Sequence, residues 1–236
     1  MAKLFLTLLV IVILFSGCNI LQKSAKQELT DGFYIKITEH KKEKVYVDVI
    51  EDSVLVYPAT TYNNKAAIDT VRSLKLQTSE YESKEDLEFT LSQNSFDIDF
   101  LVVPAKFRFP TKNVPTQLNS ELNGSVFLGY RTDRYYIKRK PNSLNIQEQR
   151  ITHLGYSMGL FTGIGNTFMS PTTTNDRLLQ EYDGLVWSKG LAVIIGLNNF
   201  SVGIAFGFDN LLDQNSSIWI YENKPWLGIA LGLNLN

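Results

Sequence analysis

Phe200-Ser201-Val202-Gly203-Ile204-Ala205-Phe206-Gly207-Phe208 sets a large apolar residue at every even position and a small one at every odd position. Period two is the signature of a β-strand, because successive side chains leave opposite faces. Three more segments repeat the pattern. Leu154, Tyr156, Met158, Leu160 and Ile164 alternate with Gly155, Ser157, Gly159, Gly163 and Gly165. Leu191, Val193, Ile195 and Leu197 alternate with Ala192 and Gly196, and Leu227, Ile229, Leu231, Leu233 and Leu235 with Gly228, Ala230, Gly232, Asn234 and Asn236. Phe161 and Ile194 are the large exceptions on the small parity. A strand with one watered face carries Lys, Glu and Thr there. Here the second face is merely small, which predicts the crowded interior of a narrow barrel with the large parity turned outward to lipid.

Upstream the pattern is weaker. Phe96, Ile98, Phe100 and Val102 alternate with Asp97 and Asp99, and the phase flips at Pro104, so that Phe107 and Phe109 alternate with Lys106 and Arg108. A proline there implies a bulge or a strand edge. Gly124 to Lys138 reads as another long strand. Phe33 to Glu39 and Lys44 to Tyr57 read as strands joined through His40-Lys41-Lys42-Glu43, and Leu87, Phe89 and Leu91 as a strand that Gln93-Asn94 turns into the next. Ala66 to Leu76 fits either a short helix or a strand, and Ser79 to Asp86 is charged and solvated. Connections run long (110–123), intermediate (139–150), long (169–183), short (Asn198-Asn199) and long (209–224), the rhythm of long external loops and short periplasmic turns. Tyr156, Tyr182, Trp187, Phe208, Trp219 and Trp226 fall near strand ends, where an aromatic girdle would lie. Six strands are readable from residue 95 onward. Closure at an even number, about 8 being the smallest common size, asks for two more from residues 31–92.

The first 18 residues read as an export signal. Lys3 precedes the apolar run Leu4 to Phe15, which is shorter than the roughly 20 residues a spanning helix needs. Phe15-Ser16-Gly17-Cys18 resembles the lipobox of bacterial lipoproteins, in which the cysteine is acylated and becomes the mature N-terminus. The resemblance implies Cys18 as a lipid attachment site. Cys18 is also the single cysteine in the chain, so no intramolecular disulfide forms. The expected organisation is a signal peptide at 1–17, a lipidated tether at 18–30, a β-rich N-terminal region at 31–93 and a barrel at 94–236.

Composition narrows the function classes. The 236 residues carry a net charge of −1, which gives no global basic field for nucleic acid. Aromatics make up 12 % of the chain, as in β-proteins and membrane barrels. The two histidines, His40 and His153, have no partner at metal-ligand spacing, and no cofactor motif is present. His40 reads as a solvated turn residue. His153 and Ser157 share a parity and could form a hydrolase pair, but no third residue is nominated as orienter, and a polar lining role weighs more. Asp97 and Asp99 could be an acid pair or a cation site, or could pair with Lys106, Arg108 or Arg131. Lys138-Arg139-Lys140, beside Tyr135 and Tyr136, reads as a solvated turn before it reads as an anchor to acidic headgroups, and as an anchor before a nucleic-acid contact. No catalytic, cofactor or metal residue is assigned.

Val103-Pro104-Ala105-Lys106-Phe107-Arg108, Leu128-Gly129-Tyr130-Arg131 and the ending Lys224-Pro225-Trp226-Leu227-Gly228-Ile229-Ala230-Leu231-Gly232-Leu233-Asn234-Leu235-Asn236 resemble small outer-membrane β-barrel proteins of Bacteroidota. That resemblance implies an all-β, antiparallel up-and-down barrel of about 8 strands. The expected protein is lipid-anchored in the outer membrane of a Gram-negative bacterium, with a structural, binding or accessory envelope role. Its expected partners are membrane lipid, met through acylated Cys18 and the barrel exterior, and an envelope protein complex. Two rivals stand beside it: a soluble periplasmic lipoprotein barrel or sandwich that binds an apolar ligand, and a lipid-modifying barrel enzyme resting on His153 and Ser157.

Overall fold

The computed structural model of the protein describes residues 29–50, 53–62, 65–76, 88–111, 114–141, 143, 147–197 and 200–233. The expected signal peptide, Cys18, most of the tether and the charged stretch Ser79–Asp86 lie outside the described residues. The chain divides into two compact units, residues 1–87 with 138–151, and residues 88–137 with 152–236.

The first unit is built from β1 (Gly32–Ile37), β2 (Lys42–Ile50), β3 (Ser53–Tyr62), β4 (Lys65–Ile68) and β5 (Leu74–Leu76). β2 pairs antiparallel with β1 and β3, and β3 pairs with both β4 and β5. Tyr34, Val45, Val47, Val54, Val56 and Leu76 are buried. The apolar alternation is what buries them: neighbours two apart share a face. The single strand expected from Lys44 to Tyr57 is a hairpin, with Ile50 opposite Ser53. The alternation resumes after a polar pair, so parity alone did not mark the turn. Residues 66–76 contribute strands, not a helix.

The second unit contains β6 (Glu88–Arg108), β7 (Gln117–Ser120), β8 (Asn123–Pro141), β9 (Gln147–Met169), β10 (Tyr182–Leu197), β11 (Phe200–Leu211) and β12 (Pro225–Leu233). The last residues of β8 and the first of β9 fall in the other unit. In hydrogen-bonding order the strands run β12-β11-β10-β9-β8-β6, and β12 pairs in turn with β6, so six strands form a closed ring. β7 adds to β6. β6 runs through Gln93-Asn94 without the expected turn. The expected break at Pro104 is a register shift: Ile229 faces Ala105, but Leu231 faces Val102, so β6 carries one residue more than β12 over that step. Asn123 covers the irregularity. The Val103 N–H donates to its Oδ1 at 3.0 Å, and its Nδ2 donates to the Val103 carbonyl at 2.8 Å.

This ring corrects the expected up-and-down barrel of about 8 strands. The ring takes six strands, and none comes from residues 31–76. It is not even round one axis. A regular barrel needs matched tilt and stagger between neighbours. Here β6 has 21 residues and its partner β12 has 9, and the bulge lies on their shared seam.

Candidate functional site

Alternation in the second unit sorts side chains by face. Ala192, Ala205 and Ala230 are inside and buried, while Val193, Ile195, Ile204, Phe206, Ile229 and Leu231 are outside and exposed, Ile204 to 66 %. Every ring strand contributes to the outer set: Phe100 from β6, Leu128 from β8, Leu160 from β9, Val193 from β10, Ile204 from β11 and Ile229 from β12. The two exceptions, Phe161 and Ile194, turn inward. With Leu101, Val103, Phe127 and Trp226 they close over the three alanines in one apolar cluster. Trp219 and Trp226 are buried inside the ring, so they do not belong to the expected girdle.

Glycine makes room for the larger inward residues. A Cβ on Gly207 would stand 2.9 Å from the Phe161 ring and closer still to the Trp226 indole. A Cβ on Gly155 would stand 2.8 Å from Asp133 Oδ1 and 2.9 Å from Arg131 Nη2. Each contact is shorter than a carbon normally tolerates.

On one side of the apolar cluster lie Lys106, Arg108, Glu121 and Asp209, all buried. Lys106 Nζ is 3.0 Å from Asp209 Oδ2 and 3.2 Å from Glu121 Oε2. Arg108 Nη2 donates to Asp209 Oδ2 at 2.7 Å and to Glu121 Oε1 at 3.0 Å. Ser188 donates to Asp209 Oδ1 at 2.6 Å and Thr167 to Glu121 Oε1 at 2.8 Å. Lys106 also sits 4.7 Å from the Trp226 ring centroid, and the Arg108 guanidinium 5.1 Å from that of Trp219 and 5.2 Å from that of Tyr221. Two cations meet two carboxylates, so the cluster is neutral. Burial alone would raise the Asp209 pKa, but Lys106 and Arg108 outweigh it and hold the carboxyl below its ordinary range. Burial likewise works against the Arg108 charge, and Glu121 and Asp209 reverse that and push its pKa up.

On the other side lie Asp97, Asp99, Arg131, Asp133 and His153, also buried. Arg131 Nε donates to Asp133 Oδ1 at 2.9 Å, and Arg131 Nη1 is 3.8 Å from Asp97 Oδ1. His153 Nε2 lies 2.6 Å from the same Asp133 oxygen, and its ring stacks on Tyr135 with centroids 4.5 Å apart. Burial opposes the Asp133 charge, but the bond to His153 and the Arg131 charge lower its pKa overall.

The weighed residues therefore fall out as follows. Asp97 does face Arg131, whereas Lys106 and Arg108 are taken by Glu121 and Asp209. Among the described residues, no group of His, Cys, Asp and Glu is placed to hold a metal ion. His153 has a carboxylate partner, Asp133, but Ser157 is not brought to it. Both sit on β9 four residues apart, about 13 Å of strand, beyond the reach of a hydrogen bond between two such side chains. Tyr135 is buried and stacks on His153. His40 stands exposed near Glu39.

No protein-family model, no curated protein and no solved structure matches the chain. That corrects the resemblance to small outer-membrane barrel proteins of Bacteroidota. The outer-membrane location, the membrane partner met through a barrel exterior and the envelope complex rested on that resemblance and on a regular barrel, and they fall with both. Acylation of Cys18 rested on the lipobox resemblance, and Cys18 lies outside the described residues. No helix among the described residues is long and apolar enough to cross a membrane.

Proposed function

We propose that the second unit is a binding module for an apolar, alkyl-chain ligand, and that it binds on the outer face of the ring, not within it. The observation that carries this reading is the exposed large-residue parity on all six ring strands. Contiguous apolar surface beyond a few hundred Å2 marks a binding surface. A protein partner would ask for about one hydrogen bond per 100–200 Å2. Mid-strand stretches such as Val202, Ile204 and Phe206 beside Leu227, Ile229 and Leu231 offer hydrocarbon alone, which suits alkyl chains. On this reading the ligand lies on the outside because the inner face carries the apolar cluster and the two ion clusters, whose side chains are buried against one another.

The interior carboxylates and cations engage one another, and in the Lys106–Arg108–Glu121–Asp209 cluster every side chain is at most 4 % exposed, which supports a structural role for them.

Equilibrium binding of dodecyl maltoside, below its micellar concentration, tests the reading. The wild-type chain should take up detergent, and the triple variant Leu160→Ser, Ile204→Ser, Ile229→Ser should take up several-fold less at unchanged circular dichroism. Equal uptake by the two proteins would defeat it.

A further inference from the structure

At one end of the second unit, a cavity of about 750 Å3 is lined by Phe109, Pro110, Thr111, Asn175, Arg177, Ile220, Lys224 and Pro225. Its volume suits a small-molecule ligand. Its chemistry is divided. Arg177 and Lys224 are exposed and cationic, while Phe109, Pro110, Ile220 and Pro225 form an apolar wall.

Among the described residues, no carboxylate lines this cavity. The acidic groups of the surrounding loops are turned to other tasks. Glu222 accepts from Asn210 Nδ2 at 2.8 Å and from the Leu211 N–H at 2.9 Å. Asp213 accepts from the Tyr182 hydroxyl at 2.8 Å and from the Asn215 N–H at 2.7 Å. Asp209 is held by Lys106 and Arg108. Asp176 is exposed beside Asn175. Among the described residues the lining thus presents two positive charges and no negative one.

The loops that carry these cations are built to hold a shape. Asn175, Asp176 and Asn223 adopt positive φ (52°, 59° and 52°), and each sits in or next to the lining. Such left-handed backbone persists where surrounding contacts fix it, and it concentrates at ligand sites. The contacts are present: the Asp176 N–H donates to the Pro171 carbonyl at 2.8 Å, the Asn223 N–H to Asp209 at 2.9 Å, and the Ile220 N–H to Thr173 at 3.0 Å. The last of these ties the two loops to each other, which fixes the roots of Arg177 and Lys224.

The apolar wall leads onto the outer face. Along the β6–β12 seam Leu227 stands opposite Phe107, and both are exposed, next in line from Phe109 and Pro225. Leu227, Ile229 and Leu231 continue the line over about 13 Å of strand.

We propose that this cavity binds the oxyanion head of an alkyl amphiphile, phosphate or carboxylate, through Arg177 and Lys224, with the chain laid along Phe109, Phe107 and Leu227. The chain half of this proposal rests on the alkyl-binding reading above, and the head half stands on the cavity alone. Arg and Lys both recognise such oxyanions, Arg in a two-bond fork.

The test uses the full chain and three probes: dodecyl phosphate, dodecyl maltoside with the same tail and a neutral head, and inorganic phosphate with no tail. The wild type should bind dodecyl phosphate at least tenfold more tightly than dodecyl maltoside. Arg177→Gln with Lys224→Gln should erase that difference and leave maltoside binding unchanged. Lys224→Gln alone should erase part of it, and 0.5 M salt should shrink it in the wild type. Both side chains are exposed, so folding should not change; circular dichroism checks this. Equal affinity for the two amphiphiles in the wild type, or a difference that survives in the double variant, overturns the proposal. Should neither amphiphile bind while inorganic phosphate binds in a manner dependent on Arg177 and Lys224, the oxyanion site stands and the alkyl reading falls. Failure of all three probes defeats both.

Discussion

The two ion clusters inside the ring occupy the same parity and differ in composition. The Lys106–Arg108–Glu121–Asp209 cluster balances two cations with two carboxylates, and it lies between two apolar clusters, one around Phe127, Phe161 and Trp226 and the other around Met169, Trp219 and Tyr221. The Arg131–Asp133–His153 cluster sets one arginine and one histidine among three carboxylates, with apolar packing from Tyr135. The first cluster therefore carries more of this unit's stability. A charge buried between apolar layers has no recourse to water, so breaking the first cluster strands its partners more completely.

The largest effect should follow Asp209→Ala. It removes the carboxylate shared by Lys106 and Arg108, and the expected loss is about 3–5 kcal/mol in urea unfolding. Adding Lys106→Met to Asp209→Leu should recover part of that loss, because an apolar pair avoids the desolvation of two charges. A loss under about 1 kcal/mol would mean that the first cluster matters no more than a surface pair.

The same contrast has a pH form. The folded-state pKa values of Asp209 and Asp133 are both depressed. Each therefore contributes stability that is present above the unfolded carboxyl pKa of about 3.9 and is lost as pH falls through the folded value. Asp209→Asn should flatten the acid limb of a stability–pH curve more than Asp133→Asn does, measured by denaturant midpoints between about pH 2 and 6. Equal flattening would erase the distinction between the clusters.

Smaller effects come from the glycines that seat the inward residues. Gly207→Ala crowds Trp226 and Phe161, and Gly155→Ala crowds Asp133 and Arg131. Each should cost about 1–3 kcal/mol by overpacking. On the outer parity, Ile204→Ser should stay within about 0.5 kcal/mol, since that side chain packs against little in the folded unit. A large loss at Ile204 would show that the outer face is a core, covered by something the ring alone does not supply.

The facing of the alternating strands was legible in the chain, and the reason is physical. Where one face is small and the other large, parity assigns every side chain, so Ala205 inside and Ile204 outside could be read directly. Phe161 and Ile194 looked like exceptions and proved to be the filling. The members of the first ion cluster were half legible. Asp209 continues the parity of Gly203, Ala205 and Gly207, and Ser188 that of Gly190 and Ala192. A charged or polar residue at the end of a small-parity run was the available signal. Their pairing with Lys106 and Arg108 was not available, because it depends on which strand lies across the ring, and β6 meets β12 only by closure over more than a hundred residues. Strand number failed for a related cause. Alternation reports faces, not neighbours, and the strands before residue 77 alternate as well without joining the ring.

The smallest effect separates His153 from Ser157. Their shared parity on β9 made a nucleophile and its base conceivable. In the structure His153 belongs to Asp133, and four residues of extended strand hold Ser157 about 13 Å along the ring wall. His153→Ala removes a bond to a buried carboxylate and should cost about 1–3 kcal/mol. Ser157→Ala should remain within about 0.5 kcal/mol. The informative quantity is the double variant. Sites more than about 7–10 Å apart with no shared partner add their effects, so the coupling in a urea-unfolding cycle should be under about 0.5 kcal/mol. Two residues that shared a proton would show a coupling well above that. A coupling of that size would return the pair to consideration as a reacting unit, and it would do so without any knowledge of a substrate.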